Sequence, residues 1–426
     1  MFNIYLINST VENTRRSGMS KKNNKKKKWI KPRHRVVREI LNLVLRPYSY
    51  FKYGIRAQRF KEQQKRPYLV LYNHQTAFDQ FFVGMSFCGA VYYLATEDIF
   101  SKGFVSSIIR YLVAPIPIKK QTTDIKAILN CIKVAKEGGT IAIAPEGNRT
   151  YSGKTEYMSP SIAPLARKLG MPIALYRIEG GYGVHPRWSD VVRKGRMKGY
   201  VSKVIYPEEY ANMTDDELFL AIKNELYVNE AVADANFKHK KSAEYLERAI
   251  YYCHYCGLST FESRRDIIEC KKCGRKVNYL PTKELKGVGF DFPYHFVADW
   301  YDAQSEFTGR LDVLKYTDAP MWSDSAAIRE VIPYKKKELL CKDAEMSLYG
   351  NKIEIISDSL NLDLPFDELQ AVAVLGKNKL NIYHKDKIYQ VKGDKRFNAL
   401  KYVHIYHRYK NIIKGETDGK LQFLGL

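Results

Sequence analysis

Apolar residues in the first half of the chain fall into short runs. Residues 68–72, 91–95, 113–118, 140–144, 172–176 and 201–206 are such runs, and between them apolar positions recur at helical spacing. A run this short that is apolar at successive positions reads as a strand covered on both faces, the environment that crossover helices create on a parallel sheet. The alternation therefore predicts an α/β fold with a largely parallel sheet. Thr123 is placed to cap a helix that Gly138 and Gly139 end, and Gly170 is placed to close another. Upstream, Val37, Ile40, Leu41 and Val44 share one helical face, Pro47 limits that helix, and Tyr48, Tyr50, Phe51 and Tyr53 follow. Residues 292–307 read as an aromatic helix or turn. Beyond about Val331 the pattern becomes β-rich, with runs at 346–356, 370–375, 379–384 and 387–391 before a closing helix at 397–409. The expected organisation is an arm at 1–36, an α/β domain at 37–235, a cysteine-bearing segment and linker at 236–308, and a β-rich domain at 309–426.

A chain of 426 residues with 45% hydrophobic content has material for two or three cores, which excludes general disorder. No apolar stretch reaches the ~18 residues that a spanning helix needs. The longest apolar-rich run without charge, 81–95, holds two glycines and reads as a buried helix and strand. The formal net charge is +24, and residues 1–36 carry eleven Lys/Arg against one acidic residue, so +10 of it sits there. The stretch 21–35 is too polar to fold alone and reads as a flexible basic arm. An excess of this size calls for an anionic partner, either nucleic acid or an anionic membrane surface. The arm runs directly into the amphipathic segment at 37–44, which favours the membrane, although a helix docked on its own domain has the same pattern. No apolar core leads from the basic N-terminus to a small-residue cleavage site, so no secretory signal is expected, and Met19 is a candidate start. The expected location is cytoplasmic, peripheral on the inner face of the membrane.

Chemistry concentrates where two strand-like runs end. Asn73, His74, Gln75, Thr76, Ala77, Phe78 and Asp79 follow the run at 68–72, and Pro145, Glu146, Gly147, Asn148, Arg149 and Thr150 follow the run at 140–144. Histidine takes a proton near neutral pH, and a neighbouring carboxylate fixes its tautomer and stabilises the imidazolium. Five residues of separation on one helix would place the two side chains about 140° apart. His74 is therefore expected in the turn, with Asp79 on the next helix. In open α/β sheets, clusters at the carboxyl ends of two strands face one site.

An Asn-His-x4-Asp block followed about seventy residues later by Pro-Glu-Gly-x-Arg-Ser/Thr resembles the glycerolipid acyltransferases that acylate glycerol 3-phosphate or lysophosphatidic acid. The resemblance covers roughly residues 35–230. It implies transfer of a fatty acyl group from acyl-CoA or acyl-carrier protein to a lysophospholipid hydroxyl, giving phosphatidic acid, without a covalent acyl-enzyme. By the same resemblance His74 is the general base and Asp79 its orienting partner. Arg149 binds the acceptor phosphate, Gly147 lets backbone come close, and Glu146 places the hydroxyl or the arginine. Asn148 stands where the family has a small hydroxyl residue, and Lys120 stands where its second block ends on arginine. Lysine meets phosphate as a point charge without the guanidinium fork. Residues 171–183 resemble the fourth block.

Cys253, Cys256, Cys270 and Cys273 form C-x2-C-x13-C-x2-C, with Gly257 and Gly274 after each knuckle. Four thiolates at this spacing predict a closed, structural zinc ribbon, with a redox dithiol pair as the alternative. Cys88, Cys131 and Cys341 read as ordinary buried residues. Several antiparallel strands and one helix at the C-terminus resemble a pleckstrin-homology or GRAM type of barrel. Two rival functions remain: a nucleic-acid-binding zinc-ribbon protein, which leaves both strand-end blocks unexplained, and a catalytically dead lipid-docking adaptor. On the enzyme reading, a chain ending near residue 235 is expected to retain transfer.

Overall fold

The computed structural model describes residues 28–62, 66–118, 124–233, 235–332 and 335–416. Its first part is built on strands β1 (Ile55–Ala57), β2 (Leu69–Tyr72), β3 (Val91–Thr96), β4 (Ile116–Ile118), β5 (Thr140–Ile143), β6 (Ile173–Glu179) and β7 (Met197–Ile205). They form one sheet in the order β1-β7-β6-β2-β5-β3-β4. Strands β2 to β6 run parallel, β7 is antiparallel to β6, and β1 runs parallel to β7. All four residues of β2 are buried, as their unbroken apolar run requires of a central strand. One sheet face packs Leu69, Leu71, Ile141, Ile173 and Leu175 against its helices, and the other packs Val70, Tyr72, Ala174 and Tyr176.

The helices of this part are α1 (Pro32–Tyr53), α2 (Asp79–Ser86), α3 (Glu97–Phe100), α4 (Phe104–Val113), α5 (Ile125–Lys136), α6 (Ile162–Leu169), α7 (Gly181–Val184), α8 (Pro207–Tyr210) and α9 (Asp215–Leu226). Gly170 closes α6 as expected, in a left-handed conformation with φ +62°. For α5 the observed cap is Asp124, whose side chain accepts from the Ala127 N–H at 3.0 Å, and Thr123 lies outside the described residues.

Two local expectations fail. Helix α1 continues through Pro47 to Tyr53. Pro47 lies on an exposed face, where water can bond the carbonyl the proline leaves free, and tertiary contacts hold both ends of the helix. His34 Nδ1 lies 3.0 Å from the Tyr92 hydroxyl, Arg46 donates to Met85 O at 2.7 Å, and Tyr53 is buried among Phe78 and Phe82. The run at 113–118 is only half strand. Val113 completes amphipathic α4, Ala114 turns the chain at φ +42°, and Pro115 cannot continue the helix.

The cysteine segment contains β8 (Tyr252–Cys253), β9 (Gly257–Leu258), β10 (Phe261–Arg264), β11 (Ile267–Cys270), β12 (Lys276–Tyr279) and β13 (Leu285–Gly287), the last four forming an antiparallel sheet. Helix α10 (Val297–Arg310) realises the expected aromatic helix. Strands β14 (Trp322–Glu330), β15 (Glu338–Leu348), β16 (Lys352–Ser357), β17 (Leu360–Pro365), β18 (Leu369–Leu375), β19 (Lys379–His384) and β20 (Lys387–Gly393) make a seven-stranded antiparallel half-barrel. Helix α11 (Ala399–Ile413) packs on it through Tyr402, Ile405 and Tyr406. The run at 346–356 is two strands. A turn at 349–352 separates them, the Tyr349 N–H donating to Lys352 O at 3.0 Å, and glycine is required at 350 because a Cβ there would lie 1.8 Å from Val313 O. One apolar core joins Tyr151, Tyr182 and Trp188 of the first part to Trp300 and to Ile328 and Leu348 of the half-barrel.

Candidate active site and four-cysteine centre

Strand register assembles the candidate site. Leu71 of β2 pairs with Ile143 of β5, so the chain three residues beyond each of these paired positions arrives at the same height with His74 and Glu146 side by side. The His74 N–H donates to Glu146 Oε1 at 2.8 Å, and the Thr150 N–H donates to His74 O at 3.1 Å. Asn73 clamps the turn to β6 like a peptide unit, donating to Ile178 O at 2.8 Å and accepting from Ile178 N at 2.7 Å. Gln75 Oε1 accepts from the Tyr182 N–H at 2.9 Å.

His74 lies in the turn and Asp79 opens α2, as the spacing requires. His74 Nδ1 and Asp79 Oδ2 are 2.8 Å apart. The same carboxylate accepts the Gln75 N–H at 2.7 Å, the Thr76 N–H at 2.9 Å and the Thr76 hydroxyl at 2.6 Å. Since Asp79 only accepts, Nδ1 carries the proton and Nε2 keeps its lone pair. The carboxylate is wholly buried, while 22% of the imidazole side chain is exposed. Burial lowers the imidazole pKa below its ordinary value; Asp79 opposes that, and the Arg149 and Arg187 charges add to it. The ring is neutral at pH 7 and fit to accept a proton.

Glu146 is buried, and burial pushes its carboxyl up to about 8 against the pull of the His74 and Glu156 N–H groups. Arg149 is also buried, and burial followed by the like charge of Arg187 brings its pKa down to about 10, so it stays charged at neutral pH. Its Nη1 has no hydrogen-bond partner among the described residues. Gly147 sits at φ +68° with nothing within 4 Å of where a Cβ would be. Glycine suits this left-handed backbone, and the space beside it is open. Asn148 accepts from Arg187 at 3.2 Å through Oδ1. Lys120 lies outside the described residues. The sequence reading missed Arg187, which has no motif around it, and Glu156, which braces the loop by accepting the Tyr151 N–H at 2.8 Å.

The four cysteines also come together, their sulfur atoms all within 4.8 Å of one another. Cys253 and Cys273 Sγ are 3.9 Å apart, close to the edge of about 3.8 Å expected for a tetrahedron with Zn–S bonds of about 2.3 Å. Donor type, number and spacing therefore fit a closed metal site. Of the other cysteines only Cys131 is buried; Cys88 is exposed in the turn after α2, and Cys341 is half-buried on β15.

Residues 55–178, which include both blocks, match the family model described as acyltransferase. No curated protein matches the chain. Among solved structures, the crystal structure of the 1-acyl-sn-glycerophosphate (LPA) acyltransferase PlsC from Thermotoga maritima is similar at 20% identity. That match covers 46% of this chain and 78% of that one, with a TM-score of 0.39.

Proposed function

We propose that the chain transfers a fatty acyl group from an acyl thioester, acyl-CoA or acyl-carrier protein, to a hydroxyl of lysophosphatidic acid or glycerol 3-phosphate. With lysophosphatidic acid the product is phosphatidic acid. His74 Nε2 takes the hydroxyl proton as the oxygen attacks the thioester carbonyl; the thiolate leaves and receives that proton from the imidazolium. Asp79 holds the tautomer and balances the transient charge. The observation that carries the reading is a buried guanidinium with unused bonding capacity on the same sheet edge as an oriented, neutral imidazole. Arg149 and Arg187 lie close enough to depress the pKa of Arg149, and neither forms an ion pair with a carboxylate among the described residues. Two neighbouring cations in low dielectric favour an anion, and a phosphate monoester meets a guanidinium through charge-assisted hydrogen bonds. The test is purified protein with a panel of acyl thioesters and phosphorylated acceptors, read by mass spectrometry for new lipid. Absence of acylated product across the panel contradicts the reading.

The four cysteines are proposed to hold a structural zinc, and the half-barrel a docking role of the pleckstrin-homology kind. No described helix is long and apolar enough to cross a membrane. Docking to an anionic membrane surface is proposed instead, supported by apolar side chains turned to solvent on α1 (Val36, Ile40, Leu43, Val44, Phe51) and on adjoining α4 (Phe104, Tyr111). The basic arm joins α1 directly, although residues 1–27 lie outside the described residues. Lys or Arg near such a surface contributes about 1 kcal/mol each.

A further inference from the structure

Arg187 is among the largest fully buried side chains of the protein, and its fork joins two parts that are far apart in sequence. Nη1 donates to Arg149 O at 2.8 Å and Nη2 to Asn148 Oδ1 at 3.2 Å, both in the loop after β5. Nε donates to Gly376 O at 2.9 Å, in the turn between β18 and β19 of the half-barrel, and Nη2 also to Val374 O at 3.4 Å, near the end of β18. The guanidinium stands over the Tyr151 ring, 4.2 Å from its centroid. Beside this knot Lys377 of the same turn reaches Asp190 at 3.1 Å, and Arg248 holds that carboxylate at 2.8 Å.

A second set of contacts fixes the half-barrel to the same sheet edge. Asp98, just past the end of β3, pairs with Lys337 and accepts from Gln390 at 3.3 Å. The half-barrel thus holds two neighbouring strand ends on the side where His74, Glu146 and Arg149 emerge. A detachable adaptor joined by a linker would not need a buried guanidinium divided between its own hairpin and the loop that carries Arg149.

We infer that Arg187 is a positioning residue through which the β18–β19 hairpin sets Arg149 for the acceptor's phosphate, making the half-barrel a working part of the transfer site. The inference rests on the acyl-transfer reading for its kinetic consequence. Its structural content, coupling of the hairpin to the 146–150 loop, stands apart from that reading. A chain ending near residue 235 would then fail to hold the loop, contrary to the expectation from sequence.

Two full-length variants test it. Arg187→Lys keeps the charge but replaces a planar fork by a point donor, so it cannot span both partners. Gly376→Pro changes the hairpin alone: the turn needs φ +66° there, proline fixes φ near −65°, and the carbonyl must leave Arg187. Each is expected to raise KM for the phosphorylated acceptor roughly tenfold or more, with kcat and the donor KM within about threefold. In hydrogen exchange, amides of residues 146–150 should exchange faster in both variants while β19 and β20 stay protected. Arg187→Lys with an unchanged acceptor KM, or with kcat and both KM values degraded in one proportion, overturns the inference. If the wild-type protein transfers no acyl group, the exchange measurement decides alone: unchanged protection of residues 146–150 in Arg187→Lys refutes the coupling, and faster exchange supports it.

Discussion

The sheet edge around His74 and the four-cysteine cluster are both assembled from two polar blocks that folding brings together, yet they end in opposite states. At the cysteines every donor atom faces the other three, and a tetrahedral ion would use them all. At the sheet edge Asp79 is saturated with four protein donors, but Nε2 of His74 is left with a lone pair and Nη1 of Arg149 is buried without a partner among the described residues. A closed constellation holds the fold, whereas one that keeps bonding capacity, with part of the imidazole open to solvent, is equipped to receive a substrate. Substitution in the two regions should therefore separate activity from stability.

The largest effect belongs to His74→Ala. It should lower transfer by about 10²–10⁴-fold while the protein still folds, with only a modest fall in the thermal transition, because Asp79 keeps three of its four donors. Since burial holds the imidazole below its ordinary pKa, the acid limb of kcat/KM should fall below pH 6.5: activity is lost as pH drops through the folded value. Asp79→Asn should behave differently. Its amide would face the donors that the carboxylate now accepts, so both activity and stability should drop, the latter by roughly 1–3 kcal/mol. An Asp79→Asn variant as stable as the wild type would blur the contrast.

Cys270→Ser should do the reverse of His74→Ala. One metal equivalent is expected in the purified protein, and this substitution should release it and expose residues 253–287 to proteolysis, with the first sheet still folded. Metal-free wild-type protein with an intact ribbon would refute the zinc proposal.

A smaller effect is expected from Glu146→Gln. Burial raises the folded carboxyl to about 8, above the ordinary glutamate value of about 4.3. Between these values the unfolded chain gives up a proton that the folded chain retains, so stability present at acid pH is lost as pH rises toward 8. Glu146→Gln should flatten this fall, and denaturant melts at pH 5 and pH 9 measure it. The smallest effect is on docking: Leu43→Ser and Phe51→Ser on α1 should each weaken binding to anionic vesicles severalfold with transfer from soluble substrates unchanged, and added salt should weaken it further.

Both contrasted regions were legible in the sequence for the same reason: each is written as short-range spacing. The His74-to-Asp79 interval excludes a single helix, and the two C-x2-C knuckles fix ligand distance. The parallel core was legible from its double-sided burial. Long-range pairing was not. Arg187 meets Gly376 across 189 residues with no motif on either side. The antiparallel course of β7 could not be told from its composition, and β14, carrying Ser323, Asp324 and Ser325, lacks the apolar alternation that marks a strand. Pro47 misled because tertiary contacts at both ends of α1 outweigh one missing hydrogen bond.

The central claim is that His74 and Arg149 serve one reaction, the first on the acceptor's hydroxyl and the second on its phosphate. The most direct measurement compares steady-state transfer to lysophosphatidic acid and to the corresponding monoacylglycerol, which lacks the phosphate, in wild type and Arg149→Ala. The account predicts that the wild type strongly prefers the phosphorylated acceptor, and that Arg149→Ala collapses the preference by raising KM for lysophosphatidic acid while the donor KM is unchanged. Equal use of both acceptors by the wild type, or a preference that survives Arg149→Ala, would contradict it.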